Sequence, residues 1–482
     1  MRPLIAWFVP DLALATATIT LFYCLFFFQG YQKLFRDSDA GWHIRTGEAI
    51  LASGHLPRTD PYSFSREGEP WFAWEWGSDV LVGAIDRAAG LRGVALFYGG
   101  VIAAGVWLWF RLHWDLGGDF LLACAMAPLL LSTCEIHWLA RPHVIGWLFV
   151  LALFRGQATQ LPNCKVSRQF GSCVACPQNS VEIAVFMIIW ANMHASFFLG
   201  PVILAVHAAG LRKAELLWPT AIATIAPLAN PYGWHLYAHV FRYLADSELL
   251  SRISEFQSFD FHSAGAGQII AALILAIAGG TLSLVRRRYE HFLLALVFSV
   301  LALRSARMLP IAALLLLPVA NGAITATFHF PWRDYAKRLR ELDSLWKGYG
   351  LVPIAMGAAF SLLRIVPAGF SPEDFPVAAY PHVAEDARLF APDKFGGYLI
   401  YRSNGTRKVF FDGRSDFYGP DFLKRYSRMV QLRPGWRDIW DSFHFTQALM
   451  PNDFPLVWAL EQIGWRPLYQ DGTAILLTPP AT

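Results

Sequence analysis

The sequence predicts an α-helical polytopic membrane protein with a small α/β unit at its carboxy-terminal end. Three observations lead there: a nearly uncharged composition, recurring apolar runs, and basic residues concentrated in particular loops. Of 482 residues, 55% are hydrophobic and 16% are charged, against about a quarter charged in an ordinary soluble domain. Mean hydropathy is +0.36. A soluble chain of this kind would need one core larger than the roughly 250–300 residues at which cores stop growing. The same composition excludes a disordered chain and a disulfide-rich secreted module. A net charge of +4 is too mild for a polyanion partner, so nucleic acid is excluded as well.

The first apolar run, 11–31, is about long enough to cross roughly 30 Å of hydrocarbon as a helix. Its aromatic end, Phe26-Phe27-Phe28, runs into Tyr31 and Lys33 without a small-residue cleavage site, so it reads as an uncleaved span. Residues 32–90 are polar and rich in Trp, Pro and Gly, with helical patterning at 40–52 and 76–89. They read as one large loop with juxtamembrane helices. Asp39 stands where an N-cap would, and Gly54 where a helix would end. Trp71, Trp74 and Trp76 read as an interfacial belt rather than a sugar platform.

Ten further apolar runs follow, at 91–110, 119–134, 142–154, 181–193, 195–211, 216–229, 267–285, 291–303, 309–325 and 349–367. Three pairs of them meet at polar joints: Glu135, His137, Arg141 and His143; Asn192 and His194; Arg304 and Arg307. Each pair is either a hairpin or one kinked span. Basic residues arbitrate, because cytoplasmic loops carry the Lys/Arg excess. Arg155, Lys165 and Arg168 precede the 181–211 pair and Arg212-Lys213 follow it. Arg286-Arg287-Arg288 precede the 291–325 pair, and Arg333, Lys337, Arg338 and Arg340 follow it. Hairpins result, giving eleven spans, a cytoplasmic amino terminus, and an outer location for 32–90 and for the tail. The expected division is a membrane domain over 1–367 and an extracytoplasmic α/β domain over 368–482. In the tail, GGYLIY (396–401), KVFFDGR (408–414) and TAILL (473–477) read as short strands, and 420–433 and 453–463 as helices. Cys164, Cys173 and Cys176 share one polar loop but lack the usual metal-ligand spacing, so a variable loop is the better reading.

This topology gathers the unusual polar residues on one side. Asp37, Asp39, His43, Arg45 and Glu75 lie in the first outer loop, and His137, Arg141 and His143 at the second outer turn. Asn192 and His194 lie at the third, Asn230, Tyr232 and Glu255 in the fourth, and Arg304 and Arg307 in the fifth. Ionisable groups at membrane depth are costly and usually face a cavity with a function. Each also has a structural reading: a helix cap for Asp39, a packing role for His43, a helix-ending turn for Asn230-Pro231-Tyr232-Gly233, and snorkelling for the two arginines. The sequence contains no Walker loop, no GxGxxG after a strand, no HExxH and no GxSxG. An outward cavity holding acids from one loop and arginines from others suits a lipid-linked phosphorylated substrate meeting a hydroxyl or amine acceptor. A carboxylate would take the acceptor proton, and arginine would stabilise the departing phosphate.

The block from Asp37 to Leu81 resembles the first outer loop of a bacterial family of polytopic proteins related to GT-C fold glycosyltransferases. WANMHASF (190–197), NPYGW (230–234), ISEFQS (253–258), RSARMLP (304–310), GGYLIYR and VFFDGRSDFYG continue the resemblance. It implies a GT-C-like fold, and the relatives include protein O-mannosyltransferases and aminoarabinose transferases. It also implies a polyprenyl-phosphate sugar donor, a glycan, lipid or protein acceptor, and action at the outer face of a bacterial inner membrane. By position the acid is Asp39 or Asp37, with Glu75 the other first-loop candidate. His43, Arg45, His137, Arg141, His143, Asn192, His194, Asn230, Tyr232, Glu255, Arg304 and Arg307 are the candidate substrate-binding residues. A divalent cation is left open. The competing reading is a non-catalytic lipid-binding or assembly scaffold of the same fold. A transporter fits less well, because no internal repeat is visible.

Overall fold

A computed structural model describes residues 2–159, 179–367 and 369–480. The expected loop of Cys164, Cys173 and Cys176 lies outside the described residues. Each of the eleven apolar runs holds an apolar helix. Among the described residues, four helices are long and apolar enough to cross a membrane by length and composition: Ile5–Phe26, Trp76–Asp115, Ala266–Val285 and Ala306–Thr327. The others are shorter or less apolar. At two of the paired joints an extended residue breaks the helix. These are His194 (φ −163°, ψ 145°) and Ser305 (φ −144°, ψ 124°), so neither pair is one continuous helix. The Phe120–Glu135 and Pro142–Thr159 helices are likewise separated, by the turn carrying His137 and Arg141. The chain is a mostly helical, multi-pass membrane protein.

The first loop holds the helices expected of it. Asp39–Ser53 is helical and Gly54 ends it in the left-handed conformation, φ 72°, as an αL cap requires. The cap assignment itself needs correction. Ser38 is the N-cap, Asp39 is the first helical residue, and the Asp39 amide is held by Asp37 Oδ1 at 3.0 Å. The second loop helix runs unbroken in hydrogen bonding into the next membrane helix, Trp76–Asp115, but Gly90 (φ 62°, ψ −167°) bends the chain between them.

Two glycine crossings fix the Asp39–Ser53 helix. Gly47 and Gly83 meet backbone to backbone, and a Cβ on either would overlap the other helix. Gly41 meets Gly397 in the same way on the opposite side. Gly397 belongs to Asp393–Arg402, where residues 396–401 were expected to form a strand. The structure makes this segment a helix buried from Phe395 to Ile400. Its two glycines serve close helix packing rather than strand bounding, which is why a Gly-bounded apolar run misled.

The other tail strands divide. Ala474–Thr478 is a strand as expected, but 408–414 is irregular apart from a parallel bridge between Val409 and Ser63. The sheet has the order β1-β2-β4-β3, from Leu389–Phe390, Gln447–Pro451, Ala474–Thr478 and Arg466–Gln470 respectively. β1 and β2 are parallel, and the other neighbours antiparallel. The helices Ser415–Val430 and Pro455–Gln462 cover the expected helical segments.

The tail is laid onto the first loop. Val409 N donates to Tyr62 O (2.8 Å), Phe64 N to Val409 O (3.0 Å), and Arg66 Nη2 to Tyr418 O (2.6 Å). Arg414, 2% exposed, donates to both oxygens of Asp412 (2.7 and 2.8 Å) and reaches Asp60 of the loop at 2.9 Å. Trp71 stacks beneath it, 4.7 Å from the guanidinium to the ring centre. Trp71 is therefore buried at the loop–tail contact, and the interfacial-belt expectation does not hold for it.

Candidate active site

A cavity of about 780 Å³ lies among the first loop, the second, third and fifth joints, the 240–256 segment and the tail. Its centre is Arg141, presented on the turn after the Phe120–Glu135 helix. Arg36 steadies that turn by donating to the carbonyls of Glu135 (2.9 Å) and Ile136 (2.8 Å). Arg141 reaches Asp37 at 2.5 Å, Asp39 at 3.0 Å and Glu255 at 3.0 Å. Glu255 also faces Arg307 at 3.3 Å. Arg304 lines the same cavity, is exposed, and has no ion pair among the described residues. Leu301, Met308 and Ile311 add an apolar wall beside the two arginines.

A second polar group sits in the wall. His43 Nδ1 is 2.6 Å from Asp79 Oδ1, and His43 Nε2 is 3.7 Å from Glu75 Oε2. His194 Nε2 is 3.3 Å from Glu75 Oε1. The Gly47–Gly83 crossing brings His43 and Asp79 together, since each glycine lies four residues after one of them on the same helix face.

The environment sets these acids apart. Burial, then the neighbouring Asp37, pushes Asp39 above the ordinary carboxylate range although Arg141 opposes it. Burial pushes Glu75 up to about 7. Burial would also raise Glu255, but Arg141 and Arg307 outweigh it and hold that carboxyl well below its usual value. Glu255 is thus favoured as an anion, while the environment of Asp39 and Glu75 favours their protonated forms more than in an ordinary carboxyl. Burial holds His43 neutral, well below the usual imidazole range.

Of the sequence candidates, Asp37, Asp39, His43, Glu75, Arg141, His143, His194, Glu255, Arg304 and Arg307 line the cavity. Five others stand apart from its lining. Arg45 turns to the tail, donating to Tyr401 O at 2.8 and 3.0 Å and pairing with Glu48. His137 O is 2.9 Å from His143 Nε2. Asn192 joins Trp76 Nε1 at 2.8 Å, and Asn230 closes its own turn onto Pro227 O (2.6 Å) and Gly233 O (3.0 Å). Tyr232 donates to Ala73 O at 3.2 Å. For the open question of a divalent cation, no group of three or more His, Cys, Asp or Glu side chains stands in ligand geometry among the described residues. The acids converge on a guanidinium instead, and this donor set does not fit a metal.

Sequence reasoning missed Asp79 and the tail's share of the cavity. Gly413 packs so closely on the Asp39 carboxylate that any Cβ there would overlap it, and Arg414, Ser415 and Asp416 line the cavity beside it. The spacing His43/Gly47 and Asp79/Gly83 was the available signal for Asp79.

The architecture decides the fold class. The chain superposes on the oligosaccharyltransferase AglB of Archaeoglobus fulgidus, in complex with an inhibitory peptide and a dolichol-phosphate. The TM-score is 0.51 at 10% identity, over 91% of this chain and 69% of that one. The apo form of the A. fulgidus oligosaccharyltransferase matches with TM-score 0.51 at 12% identity, over 91% and 69% of the two chains. The chain has a GT-C fold. ArnT from Cupriavidus metallidurans, apo, has a TM-score of 0.48 at 14% identity over 97% of each chain. No protein-family model and no curated protein sequence matches. In this GT-C fold the cavity is walled by loops and helix ends, with the tail as its cover.

Proposed function

We propose that the protein is a membrane glycosyltransferase that moves a sugar from a polyprenyl-phosphate donor to an acceptor on the outer side of a bacterial inner membrane. One observation carries the reading. First-loop carboxyls and arginines from two other joints face one cavity that has an apolar wall beside the arginines. The dolichol-phosphate in the A. fulgidus complex supports a lipid-linked donor. Arg304 and Arg307 hold the donor phosphate by their planar forks. The acceptor oxygen attacks the anomeric carbon, the bond from that carbon to the phosphate oxygen breaks, and Asp39 takes the acceptor proton. Arg304 and Arg307 stabilise the charge that develops on the leaving phosphate. Arg141, neutralised by Asp37 and Glu255, fixes the Asp39 carboxylate. Residues 1–367 act as the membrane domain, and 368–482 as the domain that closes the cavity.

The test is the lipid that travels with the protein. Lipids extracted from purified wild-type protein and analysed by mass spectrometry should include a polyprenyl phosphate sugar. Asp39→Asn should retain that lipid but lose transfer, by about 10²–10⁴-fold for loss of one base. A retained isoprenoid with unaltered turnover in Asp39→Asn moves the base elsewhere. Ordinary phospholipids alone, with no transfer, leave the scaffold reading.

A further inference from the structure

The end of the molecule remote from the cavity carries a surface of its own. The Leu309–Thr327 helix starts at the arginine joint, where Met308 and Ile311 line the cavity, and its 19 residues carry the chain about 28 Å away. The chain crosses this far end over 328–350 and returns with the Leu351–Leu363 helix. Within the crossing, Arg333–Asp343 is a helix with two unlike faces. One face is packed. Ala336 is buried, the Arg340 guanidinium lies 4.6 Å from the Trp114 ring centre and donates to Asp343 at 2.9 Å, and Asp343 Oδ1 accepts from Leu12 N at 2.6 Å. The other face is open. Trp332, Tyr335, Leu339, Leu342 and Trp346 recur every three or four residues, the spacing of one helix face, and Tyr335 and Leu342 are more than half exposed. The amino-terminal segment extends this face. Lys347 N and Gly348 N both donate to Ala6 O, at 2.9 and 3.1 Å, and the half-exposed Trp7 ring meets Tyr349 edge-on at 5.9 Å.

The charges beside the stripe are of one sign. Arg338 stands between Tyr335 and Leu342 on the helix, and Lys347 lies 5.9 Å from the Trp7 ring centre. Arg286, which donates to Ala326 O at 2.6 Å, and Arg287 stand beside the same end. These four bases are exposed and have no ion pair among the described residues. The exposed acids of the segment, Asp334 and Glu341, each precede a stripe residue by one position and so turn about 100° away from it. Phe328 before the segment and Ile354 after it are exposed as well, which carries the apolar surface from the stripe onto both flanking helices. The stripe therefore sits where hydrocarbon meets water. Aromatic rings and long basic side chains settle in that layer. Apolar surface beside unpaired guanidinium and ammonium groups suits acyl chains on one side and anionic headgroups on the other.

We propose that residues 328–350, with Trp7, form a docking surface for anionic phospholipids of the leaflet opposite the cavity. The stripe enters the boundary between acyl chains and headgroups, and Arg338, Lys347, Arg286 and Arg287 engage the headgroup phosphates. On the sidedness expected from the basic loops this is the inner leaflet. The surface needs no transferase chemistry and stands apart from the donor site.

The experiment is hydrogen exchange, read by mass spectrometry on peptides from 328–350, with the full-length protein in lipid nanodiscs. Discs of phosphatidylcholine alone are compared with discs that also contain phosphatidylglycerol. Exchange over 333–346 should slow several-fold with phosphatidylglycerol, and high salt should erase most of the difference. Each base near an anionic surface is worth about a fivefold change in binding. Arg338→Gln combined with Lys347→Gln should therefore lose most of the slowing, while cavity peptides at 252–258 exchange as before. If the double variant does not fold, Arg338→Gln alone must reduce the slowing. Equal exchange in the two kinds of disc overturns the proposal, and leaves the stripe to acyl chains or a second copy with no reading of charge. Slowing that survives the substitutions overturns it too, since the charge would then be read elsewhere.

Discussion

Arg304 and Arg307 differ in a way that a substitution exposes. Arg307 pairs with Glu255 at 3.3 Å, whereas Arg304 is exposed and has no ion pair among the described residues. Arg304→Lys keeps the charge but loses the bidentate fork. Affinity for farnesyl phosphate, used as a donor probe in detergent, should fall about tenfold, on the scale of one charged hydrogen bond. The melting temperature should stay within experimental scatter, as for a surface change worth about 0.5 kcal/mol or less. A large stability loss with unchanged affinity would show the arginine to be structural. The pH profile supplies a second residue-scale test. A carboxyl acts as a base only when ionised, and that of Asp39 is held above the ordinary range, so in the proposed mechanism kcat/KM should rise with pH on a limb near or above neutrality. The causes are burial and then Asp37. Asp37→Asn removes the like charge, and the limb should move to lower pH. A limb that stays in place would mean that another group sets it.

At the scale of elements, glycines decide how close the site helix lies to its neighbours. A Cβ at Gly397 would overlap Ser38 O, next to Asp39. Gly397→Val should destabilise the protein by about 1–3 kcal/mol through overpacking, read as a lower melting temperature in detergent. It should also lower kcat more than it raises KM, because Asp39 is displaced relative to Gly413. The same glycines explain what was legible. The loop helices, their stop at Gly54 and the polar joints followed from periodicity and turn chemistry. The Asp393–Arg402 helix did not, because its two glycines signal contact with a partner remote in sequence. Asp79 was hidden for a related reason: within its own helix it is one acid on a polar face, and its meaning appears only where that helix crosses His43. Arg45, His137, Asn192, Asn230 and Tyr232 stand apart from the cavity lining, because a polar residue at a joint serves the turn or a neighbour as readily as a ligand.

At the scale of the molecule, the apolar runs and the composition shift near 368 were enough to announce a multi-pass helical chain with an α/β tail, while the GT-C-like expectation came only from the resemblance of the 37–81 block. The sidedness comes from basic loops and is open to direct measurement. Reporter fusions at Gly54, Lys213, Arg288 and Thr482 should read outside, inside, inside and outside. An inward Thr482 would contradict the hairpin assignments and put the tail on the wrong side of the membrane from the first loop it touches.

That loop–tail contact has a consequence in time. Arg66 meets its acceptor on Tyr418 across 352 residues, and Arg45 meets Tyr401 across 356. During synthesis at ~5–20 residues per second, the first loop emerges tens of seconds before the segment that will cover it. Until then Asp60 lacks its Arg414 partner, and the Asp39 carboxylate lacks its glycine roof. The first loop is thus made with one wall of its cavity missing, and whatever chemistry the cavity supports waits for the segment around Gly413.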